Sequence, residues 1–267
     1  MGGVRKGALL ALGVAILTTL VVAGMAGAAK VDNKPVKVRV GDIELIGNGI
    51  FTPSALPRNE LAPIALTISG AVRSISGGHP PPLKELLVET DKNGTVEVKG
   101  YPECTSGQLQ SRDTKAAKAV CKSAIIGEGT TKVEIEFPDS VPVKVDSELL
   151  MFNGGVKGGT TTLFVHAYIT LPVPAAIVTT VKIKKINKGR YGLLSVATVP
   201  RIAGGSGSVT DFSLKIDKKF TYKGKKVSVL NLKCPDGKVQ VHATAVFADP
   251  QKTKASLEFA RPCTPKG

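Results

Sequence analysis

The sequence predicts an all-β protein: an antiparallel β-sandwich of about thirteen strands with one short helix, after an N-terminal signal or anchor segment. Two observations point to this class, and a third points to export. Most segments after residue 30 alternate apolar and polar residues with a period of two. Glycine (29) and proline (17) together reach about 17% of the 267 residues, as in loop-rich β proteins. The four cysteines fit a disulfide-stabilised exported chain.

The first 29 residues precede the expected fold. A basic start at residues 5–6 leads into an uncharged stretch over residues 7–29, with small residues at 26–28 that suit signal-peptide cleavage. Two interpretations stay open. The segment is a signal peptide cleaved near Ala28 or Ala29, or it is an uncleaved anchor, because a stretch of this length can span about 30 Å of hydrocarbon. Both interpretations place the remaining chain in the cell envelope or outside the cell.

The first half of the remaining chain predicts strands and one helix. Residues 36–40 alternate valine with cations, so one face of that strand can be buried. Residues 83–90 form a second strand-like run, and the following Asn93-Gly94 pair favours a type I′ hairpin that returns through residues 95–98. Residues 111–121 are rich in helix formers after a candidate cap, and form the expected helix.

The second half continues with strands. Residues 162–170 are partly apolar on both faces, which is typical of a central strand. Residues 177–186 and 191–199 flank a short Asn-Lys-Gly-Arg turn and predict a hairpin. A cluster of glycines near residue 155 suggests a boundary between a β-rich half with one helix, residues 30–155, and a β-sandwich half, residues 156–267. The alternative is one continuous domain over residues 30–267.

The cysteines predict two disulfide bonds. None lies in a Cys-x-x-Cys motif and the chain has only three histidines, so a zinc site is not expected. Four cysteines allow three pairings, and sequential pairing closes the shortest loops. We therefore expect Cys104 to pair with Cys121, which ties the helix to the loop before it, and Cys234 to pair with Cys263.

The protein is basic, with a net charge of +15 over the whole chain. Such a charge favours contact with an anionic envelope polymer or a membrane surface, although solubility alone also explains it. Lys223, Lys225 and Lys226 lie in a turn-like segment and are the candidate contacts with an anionic surface. The competing interpretation is that these lysines protect exposed strand edges from aggregation. A nucleic-acid partner is not expected for an exported chain with few aromatic residues, and the sequence leaves protein partners open.

Catalytic, cofactor and metal motifs are not recognised in the sequence. Glu134 and Glu136 share one face of a predicted strand, and two carboxylates can hydrolyse a glycosidic bond. The ordinary interpretation is a solvated strand face, and the histidines show no paired spacing. The sequence therefore favours a non-enzymatic binding or structural role in the envelope or outside the cell. The alternative is a secreted hydrolase that acts on wall or matrix carbohydrate.

Several short motifs resemble a known group of proteins. They are Gly-Ser-Gly-Ser-Val-Thr-Asp-Phe at residues 205–212, Thr-Tyr-Lys-Gly-Lys-Lys at 221–226, Cys-Pro-Asp-Gly-Lys at 234–238 and Arg-Pro-Cys at 261–263. Together they resemble uncharacterised secreted β-rich proteins of actinobacteria. The resemblance implies an exported β protein and supplies no functional residue.

Overall fold

The computed structural model describes residues 33–138 and 140–267, so the expected signal or anchor segment at residues 1–29 lies outside the described residues. The helices are α1 (Ser106–Leu109) and α2 (Thr114–Cys121). In chain order the strands are β1 (Val36–Val40), β2 (Ile43–Thr52), β3 (Ala55–Pro57), β4 (Ala62–Pro63), β5 (Ala65–Ser74), β6 (Leu83–Asp91), β7 (Gly94–Val96), β8 (Ile125–Ile135), β9 (Val143–Lys157), β10 (Thr160–Ile169), β11 (Ala175–Lys188), β12 (Tyr191–Thr198), β13 (Gly207–Ile216), β14 (Lys219–Tyr222), β15 (Lys225–Ser228), β16 (Leu230–Leu232), β17 (Lys238–Phe247), β18 (Lys254–Pro262) and β19 (Thr264–Lys266).

Twelve strands form one antiparallel sheet, in the order β1-β2-β5-β13-β8-β9-β10-β11-β12-β6-β17-β18. The sheet curls until its two edge strands, β1 and β18, lie in contact with each other. Opposite walls of the sheet therefore face one another across a shared apolar core, as the two layers of a sandwich do. The predicted all-β, antiparallel class is confirmed.

Strands from distant parts of the chain alternate within this sheet. Strand β13 lies between β5 and β8, and β6 lies between β12 and β17. Strand β9 runs straight through the glycine-rich stretch near residue 155. The sheet consequently takes its neighbours from both sides of that stretch.

One end of the curled sheet is covered by short elements, and we call it the capped end. The connections after β2, β6 and β13 and the segment after β18 leave the sheet there, and together they build the small sheets β19-β3, β4-β16-β7 and β14-β15. Leu56 and Leu232 from these elements are buried in the core. The Cys234–Cys263 disulfide joins the segment before β17 to the segment after β18, as predicted. The cap is thus covalently fastened to the sheet.

The helical segment covers the outer face of β9 and β10. Helix α2 begins after Asp113, whose carboxylate accepts a hydrogen bond from the Ala116 amide (2.7 Å), and the predicted Cys104–Cys121 disulfide ties its end to the preceding loop. Phe152 and Phe164 of the sheet pack against this segment, while Leu163 on the other face joins the central core. Strand β10 is therefore buried on both faces, as expected for a central strand.

The two predicted hairpins have different outcomes. Strands β11 and β12 form the expected hairpin, with Gly189 at φ +58° in its turn. The hairpin expected at Asn93-Gly94 is wrong, because β7 pairs with β16 and both sides of β6 are occupied by β12 and β17. Asn93 is buried, and its side chain donates to the Asp91 carboxylate (2.8 Å). Local turn preference was overruled by pairing between distant strands.

Candidate functional site

The curled sheet encloses an apolar cavity of about 410 Å³. Successive residues of a strand point to opposite faces, so alternate residues of a strand can line this space. On β6 these residues are Leu86, Val88 and Thr90, and on β12 they are Leu193, Ser195 and Ala197. The volume lies within the range of roughly 300–1,000 Å³ that is typical of small-molecule sites.

Small side chains explain why this space is not filled. Ala197 and Ala245 lie on either side of Leu86 in the register of β12, β6 and β17. One level further along, Ser195 and Ala243 lie on either side of Val88. These four side chains are too short to fill the interior between the walls of the curled sheet. Leu86 and Val88, which lie between them, therefore face open volume.

Larger side chains lie over two glycines elsewhere in the cavity lining. The ring of Phe212 lies directly over Gly70, where a Cβ atom would be 2.5 Å from the ring. Leu257 covers Gly47 in the same way, with a methyl group 3.0 Å from the place that a Cβ atom would take. Leu86 and Val88 stay half-buried although they face inward, since they contact the open volume. Strands β12, β6 and β17 therefore form one wall of the cavity.

The charged groups that border the cavity already have protein partners. Asp91 accepts hydrogen bonds from Arg190 Nε (2.8 Å) and from the Gln240 amide (3.1 Å). Asp211 accepts one from Arg73 Nη2 (2.5 Å). Arg261 donates to backbone and side-chain oxygens of the adjoining strand. The interior consequently presents apolar surface together with neutral polar groups.

The Arg190 guanidinium joins the cap to the sheet. Besides Asp91 it binds both carboxylate oxygens of Asp236, and its hydrogen bonds hold the pKa of Asp236 below the usual value. Arg190 Nη2 also donates to the Lys238 carbonyl oxygen (2.8 Å). The charge pair at this end of the cavity is thus part of its structural boundary.

Hydroxyl groups on three neighbouring strands face the cavity without a protein partner in the described part of the chain. They belong to Thr90 on β6, Thr179 on β11 and Ser195 on β12. Thr131 differs, because its Oγ1 donates to the Asp211 carbonyl oxygen (2.8 Å). The hydroxyls of Thr90, Thr179 and Ser195 are neutral hydrogen-bonding groups that this wall can offer to a ligand.

A second polar cluster joins residues that the sequence did not connect. His79, in the proline-rich connection between β5 and β6, lies with Nδ1 3.1 Å from Glu134 Oε1 and Nε2 3.1 Å from Ser208 Oγ. Ser208 Oγ also donates to the Pro80 carbonyl oxygen (2.6 Å), and the serine is only 1% exposed. The order serine, histidine, carboxylate is that of a hydrolytic triad, so the proton positions matter.

The hydrogen bonds of this cluster identify a structural clasp. Ser208 has one hydroxyl proton, and it is donated to the Pro80 carbonyl oxygen. The serine therefore does not donate that proton to His79 Nε2, as the nucleophile of a hydrolytic triad does. The clasp instead fastens the β5–β6 connection to β8 and β13.

The residues singled out from the sequence lie apart from the cavity. Lys223, Lys225 and Lys226 are exposed on the β14-β15 hairpin of the capped end, with Lys223 in its turn. Glu136 is exposed, whereas Glu134 is held by His79. Neither the cavity nor the clasp was anticipated, although small residues at alternate positions of β12 and β17 were a visible signal for the cavity.

The described part of the chain holds neither a metal-binding cluster nor a membrane-spanning helix. Within residues 33–138 and 140–267, no group of three or more histidine, cysteine, aspartate or glutamate side chains is arranged to hold a metal ion. In the same ranges, no helix has the length and apolar character needed to cross a membrane.

Comparison with known proteins supplies no relative. No family model matches the chain, and no match to it is found among curated proteins or solved structures. The cavity and its surroundings are therefore the features from which a function can be proposed. The two disulfides indicate an oxidising, extracellular environment for the folded protein.

Proposed function

We propose that this protein is an exported, non-enzymatic binding protein that holds an apolar small molecule inside its curled sheet. The observation that carries the proposal is the 410 Å³ cavity, which is lined by aliphatic side chains and bounded by charges that already have partners. A cavity of this kind excludes water and favours an apolar occupant. The exported location rests on the N-terminal segment and agrees with the two disulfides.

The alternative of a secreted carbohydrate hydrolase has less support. It depends on Glu134 and Glu136, and Glu134 is committed to the clasp with His79. Carbohydrate recognition also needs polar groups and aromatic platforms, whereas this cavity is lined mostly by aliphatic side chains. The binding function accounts for the interior, and the hydrolase does not.

Filling the cavity tests the proposal. The purified protein should bind N-phenyl-1-naphthylamine, a neutral apolar dye whose fluorescence rises in an apolar site. Ala197→Phe places a ring in the open volume and should abolish dye binding. Thr198→Phe is the matched control, because the neighbouring residue on the same strand is exposed on the outer face and should leave binding unchanged.

A second filling variant guards against misfolding. Ala243→Leu reduces the same volume from β17, and its thermal melting temperature should equal or exceed that of the wild type, since new apolar contacts replace empty space. Dye binding that survives both filling variants, in proteins that remain folded, would overturn the proposal. Failure of the wild type to bind the dye would do so as well.

A further inference from the structure

The hydroxyls inside the cavity indicate which apolar molecules it accepts. Thr90 and Ser195 lie on the adjacent strands β6 and β12, where Ser195 is paired with Val88 and Thr90 is two residues further along. Such diagonal neighbours are roughly 7–8 Å apart and can both reach one small group placed between them. Both side chains line the cavity, and no hydrogen bond within the described residues satisfies either hydroxyl.

We infer that the cavity selects a neutral amphiphile: an apolar chain or ring system that carries one uncharged hydroxyl or ester group, hydrogen-bonded to Ser195 and Thr90. A hydroxyl group in apolar surroundings is unfavourable in free energy as long as it lacks a hydrogen-bond partner. A ligand hydroxyl or ester oxygen supplies that partner, while the rest of the ligand contacts the alanine-lined wall. This selectivity rests on the proposed function, because it requires that the cavity be occupied.

The charges around the cavity exclude an anionic head group. A carboxylate or phosphate inside the sheet needs a cation, and an ion without one pays a large desolvation cost. The guanidinium groups at the boundary are committed: Arg190 to Asp91 and Asp236, Arg73 to Asp211, and Arg261 to oxygens of β2. An alcohol or an ester should therefore bind more tightly than the carboxylate with the same chain.

A series of ligands with equal chain length tests the inference. 1-Dodecanol, methyl dodecanoate, dodecane and dodecanoate are compared by displacement of N-phenyl-1-naphthylamine at neutral pH and fixed salt. We expect dodecanol and the ester to bind about five- to tenfold more tightly than dodecane, which corresponds to one or two net hydrogen bonds. Dodecanoate should be the weakest of the four. Equal affinities, or tightest binding by dodecanoate, would overturn the inference.

Variants assign the preference to the two hydroxyls. The double variant Ser195→Ala, Thr90→Val should bind dodecanol no better than dodecane, with the dodecane affinity unchanged. Thr198→Val, which removes an exposed hydroxyl from the outer face of β12, should keep the full preference. Each single variant should melt at or above the wild-type temperature, because the hydroxyl removed has no partner among the described residues. A preference that survives the double variant contradicts the inference.

The outcomes separate this inference from the proposed function. If dye and dodecane bind but dodecanol gains nothing, the binding function holds and the hydroxyl selectivity is wrong. If neither the dye nor any of the four ligands binds, the proposed function itself fails. Circular dichroism of each variant establishes that the compared proteins share the same fold.

Discussion

Arg261 in β18 donates a hydrogen bond from Nε to the carbonyl oxygen of Gly49 in β2 (2.7 Å), and so connects one edge strand of the large sheet to the strand beside its other edge. The same guanidinium donates to Asn48 Oδ1 (2.6 Å) and to the Lys34 carbonyl oxygen (3.1 Å), and it lies 4.2 Å from the centre of the Phe259 ring. Within the described residues, β1 and β18 touch but are not neighbours in the hydrogen-bonded strand order. The arginine, only 2% exposed, fastens this seam with side-chain bonds.

Removing this guanidinium should open the seam. Arg261→Leu leaves several partly buried oxygens without this donor, and we expect the free energy of unfolding to fall by about 2–4 kcal/mol. Urea denaturation measures the change. Arg39→Leu is the control, because its ion pair with Glu44 is exposed at the arginine and should contribute less than about 1 kcal/mol. Equal losses in the two variants would show that Arg261 has no special role.

Buried His166 should make stability depend on pH. Its Nε2 donates to the Arg112 carbonyl oxygen (2.9 Å), and burial lowers its pKa below the usual 6.5. The unfolded chain binds a proton as pH falls through about 6.5 while the folded protein does not, so stability declines on acidification. The stabilisation from the neutral, buried imidazole is fully retained above about pH 6.5. Below that pH it decreases by at most about 1.4 kcal/mol per pH unit.

Urea denaturation at pH values between 7.5 and 5.5 measures this dependence. This range lies above the pH of about 4 at which carboxylates titrate. His166→Gln should flatten the decline while it keeps a side-chain donor near Arg112. The slopes are compared, so an overall loss of stability in the variant does not affect the result. Parallel curves for the two proteins would contradict the prediction.

The clasp at Glu134 should stabilise the fold without supporting hydrolysis. Glu134→Gln removes the charge that faces His79, and we expect a loss of about 1–3 kcal/mol in unfolding free energy. Protease cleavage within residues 75–82 should become faster, because His79 no longer holds that connection. Glu136→Gln, at an exposed position just after the same strand, should be neutral in both measurements.

Activity assays decide the hydrolase alternative on the same variants. Wild type, Glu134→Gln and Glu136→Gln should all be inactive towards wall and matrix polysaccharides. Hydrolysis by the wild type that is lost in Glu134→Gln, while the variant stays folded, would support the enzyme instead.

The exposed lysines of the β14-β15 hairpin should contribute a weak attraction to anionic surfaces. Exposed charges act over about 8 Å at physiological ionic strength, so binding should weaken steeply with added salt. Changing Lys223, Lys225 and Lys226 to Glu should reduce co-sedimentation with anionic vesicles and with cell-wall polymer at low salt. Stability should change by no more than about 0.5 kcal/mol, because the three side chains are exposed.

A charge-matched control separates the hairpin from net charge. Changing Lys37, Lys144 and Lys254 to Glu alters the total charge equally at exposed positions elsewhere on the sheet. This second triple variant should bind more strongly than the hairpin variant. Equal binding by the two would show that overall charge, and not this hairpin, governs the attraction.

Local patterns predicted the local structure well. Alternation with a period of two identified β1, and apolar residues on both faces identified β10 as a central strand. Gly189 marked the turn of the β11-β12 hairpin. Helix α2 and both disulfides also lay where composition and spacing predicted them. Each of these features depends on contacts between residues that are near in the chain or on the even number of cysteines.

The clasp could not be predicted from local sequence patterns. His79 and Ser208 are 129 residues apart, and Glu134 is 55 residues from His79. Nothing in the segments themselves brings the three together. The pairing of β8 with β13 places Ser208 opposite Glu134, and the β5–β6 connection then lies over both. Their meeting depends on the order of strands in the sheet, which alternation does not encode.

The sequence by itself determined the all-β class, most strand positions, one helix and two bridges, because these follow from periodicity, propensity and cysteine spacing. The tertiary structure alone decided which strands pair, that β6 joins β12 and β17 instead of β7, and that the sheet closes at Arg261. It also decided that small residues of β12 and β17 face one open volume. Alternation within a strand determines which of its side chains point inward. Which side chains lie opposite them depends on how all the strands of the sheet are arranged.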